Sequence, residues 1–223
     1  MRRDRHPGAL ARLSRIAILF SGRGSNMDAL LAEAATAGFP GRVVLALSNV
    51  EGAGGAALAE ARGIPTACIE HRPFQGDRAS HERAMHAALE AAGVELVCLA
   101  GYMRRLTPML VEAWAGRMLN VHPSLLPAFP GLHTHQRALD AGVKLHGCTV
   151  HLVTEEVDAG PILAQAAVPV LASDDADSLA ARVLAQEHLL YPEALRLFLQ
   201  GGPGRSDAQA ALRNPLPGRA NAP

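Results

Sequence analysis

The run Asn120-Val121-His122-Pro123-Ser124-Leu125-Leu126-Pro127 places an amide and an imidazole two residues apart. On an extended chain that spacing points both side chains to one face. The apolar residues just before them read as a strand, so the pair would project from its C-terminal end. In open parallel sheets that end is where ligands bind. An amide can donate to a developing oxyanion. An imidazole can donate when charged or shuttle a proton when neutral. The plainer alternative is a structural Asn and His, each satisfied at a strand end. A third polar group, Asp158, precedes Ala159-Gly160-Pro161, a sequence that sets a tight turn. A carboxylate beside an imidazole favours the imidazolium. Spacing alone does not bring Asp158 to His122. Its neighbours Glu155 and Glu156 read most simply as solvated loop charges.

Further upstream, Ser21-Gly22-Arg23-Gly24-Ser25-Asn26 follows an apolar run and leads into a helical pattern. Two glycines permit close backbone approach, and a helix N-terminus offers free N–H groups and positive potential. This is a phosphate cradle in physical terms. Met27 stands where a dinucleotide fingerprint has Gly, and no Gly-Lys-Ser/Thr follows as in a Walker loop. A Gly turn with an N-cap is the alternative. Glu187 lies in the polar run Gln186-Glu187-His188, beside the apolar Leu184 and Leu189. It is either a surface charge or a carboxylate presented to a substrate amine. His133, His135, His146 and His151 lack the accompanying Cys or carboxylate spacing of metal sites, so no metal is expected.

These groups need a scaffold. Strands are predicted over residues 16–20, 43–48, 66–69, 95–100 and 117–121. Helices are predicted over residues 27–37, 53–62, 78–92 and 108–114. Strands alternating with helices imply βαβ units and a parallel sheet. After Pro123 the rhythm changes. Residues 124–134 read as a loop, 135–141 as a short helix, and 148–153 and 162–170 as two more strands. A long helix over 178–199 closes the pattern, with Pro192 as a candidate interruption. The fold class is therefore α/β: a Rossmann-like, mostly parallel sheet flanked by helices in a single domain over residues 15–200. Residues 1–14 are expected to be an extension and the Gly/Pro-rich residues 201–223 a loose tail.

Composition narrows the function. The 223 residues carry 21 basic and 21 acidic side chains, so formal net charge is zero. No broad electrostatic grip on nucleic acid or an anionic membrane is implied. Of the basic residues only Lys144 is lysine, which reads as genomic bias. No apolar stretch approaches the ~18 residues of a membrane span. Cys68, Cys98 and Cys148 match neither a disulfide framework nor a metal pattern. Cys98 and Cys148 sit inside apolar runs, so for these two buried thiols in a reducing cytoplasm are expected. The partners are then small molecules, and the chain is expected to act as a monomer or weak homodimer.

Taken in order, the motifs carry a resemblance. They are Ser21 to Asn26, Leu99-Ala100-Gly101-Tyr102-Met103-Arg104, Asn120 to Pro127, Pro130-Gly131-Leu132-His133-Thr134-His135, His146-Gly147-Cys148-Thr149-Val150-His151 and Asp158-Ala159-Gly160-Pro161. As a set, over residues 15–200, they resemble the phosphoribosylglycinamide formyltransferase family of folate-dependent enzymes. The resemblance implies formyl transfer from 10-formyltetrahydrofolate, as co-substrate, to the amine of glycinamide ribonucleotide. It implies Asn120, His122 and Asp158 as the catalytic three. Gly24, Ser25, Asn26 and Glu187 would bind the nucleotide. Arg78, Met103, Arg104, Arg105, Leu106, Asn120 and the segment Thr154, Glu155, Glu156, Val157 and Asp158 would bind the folate. The alternatives are a 10-formyltetrahydrofolate hydrolase, another folate-dependent formyltransferase, or a nucleotide-binding module without catalysis. A formyltransferase acting on aminoacyl-tRNA would be expected to carry a second, basic domain, for which no length remains.

Overall fold

The computed structural model describes residues 13–201 and 211–213. Among the described residues eight strands form one sheet: β1 (Ser14–Phe20), β2 (Gly41–Ser48), β3 (Thr66–Cys68), β4 (Leu96–Leu99), β5 (Met118–His122), β6 (Leu145–Leu152), β7 (Ile162–Pro169) and β8 (Ala211–Arg213). Their spatial order is β3-β2-β1-β4-β5-β6-β7-β8. The first five are mutually parallel; β6 is antiparallel to both β5 and β7, and β8 is parallel to β7. The chain moves outward from β1 to β3 and then crosses back to β4. That reversal opens a crevice at the C-terminal ends of β1 and β4.

The helices are α1 (Ser25–Ala34), α2 (Gly55–Ala61), α3 (Arg78–Ala91), α4 (Pro108–Ala113), α5 (Thr134–Asp140) and α6 (Ala176–Leu199). Both sheet faces are covered, which explains the continuous apolar strands. On one face Ile16, Ile18 and Phe20 of β1 pack with Met27 and Leu30 of α1 and with Leu179, Val183, Leu190 and Tyr191 of α6. On the other, Ala17 and Leu19 pack with Met85 and Leu89 of α3, with Leu110 of α4 and with Trp114 at its C-terminal cap. Each such large side chain contributes about 1.5–3 kcal/mol on full burial. The Tyr191 hydroxyl, inside the first core, donates to the Leu119 carbonyl at 3.1 Å.

Several boundaries differ from expectation. α6 runs unbroken through Pro192. Proline costs a backbone donor but does not end a helix that its tertiary packing holds, and Pro192 is buried there. α5 starts at Thr134, after His133 takes a left-handed conformation with φ 57. The expected loose tail is corrected at Ala211–Arg213, which pairs with Ala164 to Ala166 of β7. Edge pairing uses backbone groups, so a segment with weak strand propensity can still add to a sheet. The remaining tail residues and residues 1–12 lie outside the described part of the chain. β1 begins at Ser14, one residue inside the expected extension.

Candidate active site

β5 alternates between the two cores: Leu119 and Val121 face one, while Met118 faces the other along with Asn120 and His122. The expected pairing of Asn120 with His122 at a strand end is therefore observed. Asp158 arrives from the loop joining β6 to β7 in a left-handed conformation, φ 56, a region Asp tolerates better than most residues. Gly160 makes this return possible, since a Cβ there would lie 1.8 Å from the Leu152 carbonyl oxygen.

The turn delivers Asp158 to His122. His122 Nδ1 lies 3.3 Å from Asp158 Oδ2. The same carboxylate oxygen accepts the Gly131 N–H at 2.8 Å. On its other side His122 Nε2 donates to the Phe129 carbonyl at 3.0 Å. Both ring nitrogens thus face oxygen acceptors. His122 is 5% exposed, so these contacts are made largely out of water. The following loop is pinned from β6: Thr149 Oγ1 donates to the Ser124 carbonyl at 2.7 Å and accepts the Leu126 N–H at 3.0 Å.

The Gly-rich turn closes over the end of β1. Gly24 is left-handed (φ 80), and no side chain caps α1 behind it. The first-turn N–H groups are therefore not spent on a cap. Gly24 is also required by packing, because a Cβ there would sit 2.8 Å from Gly55 Cα. Asn26 donates from Nδ2 to Glu187 Oε2 at 2.7 Å, tying the cradle to α6. Asn26 Oδ1 is buried and has no hydrogen-bond partner among the described residues. Burial pushes the Glu187 carboxyl above its ordinary range, and the Asn26 bond opposes the shift. Glu187 is thus no surface charge.

The segment after β4 borders the same crevice. Met103 N–H donates to Ser21 Oγ at 2.9 Å, and Ser21 N–H donates to the Gly101 carbonyl at 3.1 Å. Met103 is exposed, Arg104 half-buried and Arg105 exposed, while Leu106 packs against the second core. Glu82 of α3, itself buried, accepts the Thr107 N–H at 2.9 Å and the Thr107 hydroxyl. Arg78 is exposed at the start of α3. Thr154, Glu155, Glu156 and Val157 are exposed on the Asp158 loop. A cavity of about 660 Å³ lined by Arg15, Phe39, Arg42 and Ile64 opens at the opposite end of β1 and β2, and no candidate residue lines it.

Residue reading missed the Phe129 carbonyl, the Gly131 N–H and the place of His151. The first two are backbone groups, which a side-chain motif does not reveal. His151 stands opposite Asn120 across the β5–β6 pair, a neighbour that only an antiparallel register predicts. His135 and His146 stack edge-on at 5.3 Å between centroids, and burial takes His146 down to about 4. Among the described residues no group of three His, Cys, Asp or Glu is placed to hold a metal ion. All three cysteines are free: Cys98 and Cys148 are buried as expected, whereas Cys68 is exposed.

Polar groups gathered at the C-terminal ends of β1, β4 and β5 of a three-layer α/β protein are an arrangement of the kind that serves small-molecule enzymes. The family described as Formyl transferase matches residues 14–195, and the chain belongs to that family. It is 42% identical over 186 residues to a phosphoribosylglycinamide formyltransferase of Escherichia coli, covering 83% of this chain and 87% of the relative. It is 46% identical over 192 residues to the trifunctional purine biosynthetic protein adenosine-3 of Drosophila melanogaster. That match takes 85% of this chain but only 14% of that longer protein. Among solved structures, the phosphoribosylglycinamide formyltransferase of Brucella melitensis is similar at 55% identity and a TM-score of 0.80, covering 86% of this chain and 98% of that one. No helix among the described residues is long and apolar enough to cross a membrane.

Proposed function

We propose that the chain transfers the formyl group of 10-formyltetrahydrofolate to the amine of glycinamide ribonucleotide, and that residues 15–200 carry the activity in the cytoplasm. The observation that carries this reading is the contact of His122 with Asp158 at 3.3 Å beside Asn120. The names of the relatives that match most of their own length supply the reaction.

The amine nitrogen attacks the formyl carbon, a carbon–nitrogen bond forms, and the carbonyl oxygen becomes an oxyanion. Asn120 Nδ2 and His122 Nε2 donate to it. The bond from carbon to the folate nitrogen then breaks. The proton lost by the amine ends on that nitrogen, with Asp158 holding the relaying water. Asp158 also orients His122 through Nδ1. His122 Nε2 spends its proton on the Phe129 carbonyl in this structure, so the formyl oxygen takes over the place of that acceptor. No covalent enzyme intermediate is required.

The α1 N-terminus at Gly24, Ser25 and Asn26 receives the nucleotide phosphate and ribose. The unpartnered Asn26 Oδ1 and the buried Glu187 await donors from the glycinamide end. Met103 and Val157, exposed apolar side chains on two loops, offer surface to the flat pterin. Arg104, Arg105 and Leu106, with Arg78 and the Thr154 to Asp158 segment, complete the folate side, and the arginines suit a glutamylated tail. We expect a monomer or weak homodimer.

The test is transfer of labelled formyl from 10-formyltetrahydrofolate into glycinamide ribonucleotide. Label appearing in the nucleotide product supports the reading. Label appearing as formate, whether or not the nucleotide is present, supports the hydrolase instead.

A further inference from the structure

We infer that His151 is a positioning residue of the transfer site, holding the Asn120 amide with its nitrogen toward the reacting formyl group. The inference rests on the role proposed for Asn120 above. β5 and β6 are antiparallel, and their register sets Asn120 directly opposite His151. Side chains so paired on one face are in reach of each other. The register of β6 against β7 shifts between Val150 and His151, an irregularity of the kind that re-aims a side chain beside an active site.

Two contacts determine the state of the ring. His151 Nδ1 lies 2.9 Å from the Leu152 carbonyl oxygen, which only accepts, so Nδ1 carries a proton. His151 Nε2 lies 3.2 Å from Asn120 Nδ2, which only donates, so Nε2 presents its lone pair. Both contacts call for the same neutral tautomer. A doubly protonated ring would instead serve Asp158, but Oδ1 of that residue is 3.8 Å away, beyond a hydrogen bond. Burial and the neighbouring His122 push the His151 pKa down, while Asp158 and the Leu152 carbonyl oppose them. His151 is 2% exposed, so no solvent replaces these partners.

An Asn amide is nearly symmetric in shape, and its two ends differ in chemistry. Turned over, Asn120 would set Oδ1 against the His151 lone pair and would also offer an acceptor to an oxyanion. With His151 in place, one Nδ2 hydrogen is fixed on Nε2 and the other is left for the formyl oxygen. His151 thus acts through Asn120 and does not touch the substrate.

Three variants and one spectrum test this. His151→Phe keeps the ring volume and removes the acceptor. It lowers kcat by about 10- to 100-fold, short of the roughly 10²–10³ of a deleted oxyanion donor, with KM for both substrates within about threefold. His151→Gln carries a carboxamide oxygen to the Nε2 position and recovers most of that loss. In an Asn120→Ala background, His151→Phe lowers kcat by less than about threefold further, because coupled residues do not add. A kcat unchanged in His151→Phe, or the same factor lost in both backgrounds, overturns the proposal. Nitrogen NMR of the unmodified protein near pH 7 is independent of variant folding and of which reaction the enzyme performs. It shows His151 protonated at Nδ1 alone. Protonation at Nε2 overturns the proposal even if formyl transfer to the nucleotide is established.

Discussion

At the scale of single residues, Asp158 is the junction. One oxygen meets His122 Nδ1 and the Gly131 N–H, and the other faces His151. Removing its charge should harm turnover without emptying the nucleotide cradle, which stands on another loop. We predict that Asp158→Asn and His122→Ala lower kcat by about 10²-fold or more, the scale of a lost oxyanion donor or of general acid–base help. The nucleotide Kd by calorimetry should change less than about threefold, because the lost interactions belong to the transition state. Wild-type turnover in either variant removes that residue from the mechanism. The link between Asn120 and His122 was readable from a two-residue spacing. Contacts with Asp158, 36 residues beyond His122, became visible only once the turn at Gly160 was built. Phe129 and Gly131 act through backbone atoms, and their side chains gave no sign of it.

At the scale of elements, the alternation of apolar runs and helical patterns identified the parallel half of the sheet, β1 to β5, because β1, β4 and most of β2 and β5 are buried between helices while β3 lies at the edge. The change of rhythm after Pro123 marked where the parallel pattern stops. It did not say that β6 runs antiparallel, since strand direction is set by the connection and not by the strand's own residues. That direction is what pairs Asn120 with His151. β8 was missed for a related reason: Ala211 to Arg213 joins the sheet by its register against β7 and carries no strand signal of its own. Gly24 shows a different gap. Its glycine was readable as a way to admit a ligand, and the fold adds a left-handed φ and contact with Gly55 as reasons of its own. Gly24→Ala should therefore lower stability by about 1–3 kcal/mol and raise the nucleotide KM. Gly22→Ala should keep wild-type stability, since its Cβ would meet nothing within 4 Å. Paired denaturation curves and substrate titrations check this. Equal stability for the two variants contradicts the packing role of Gly24.

At the scale of the whole molecule, a formal net charge of zero implies no broad electrostatic grip and leaves a few placed groups to do the work. The buried imidazoles extend this logic to stability. His146 is held near 4, against an ordinary value of 6.5. Between those values the unfolded chain takes up a proton that the folded protein refuses, so stability falls as pH drops from about 6.5 toward about 4. His146→Phe, which cannot titrate, should flatten that limb in denaturant midpoints measured across the window; a limb of unchanged slope assigns it to other groups. The central claim concerns the substrate pair. It is tested most directly by following consumption of 10-formyltetrahydrofolate by the purified protein with and without glycinamide ribonucleotide. We predict turnover that requires the nucleotide and yields one formylated nucleotide for each folate consumed. Equal consumption without the nucleotide, with formate as product, would contradict the account.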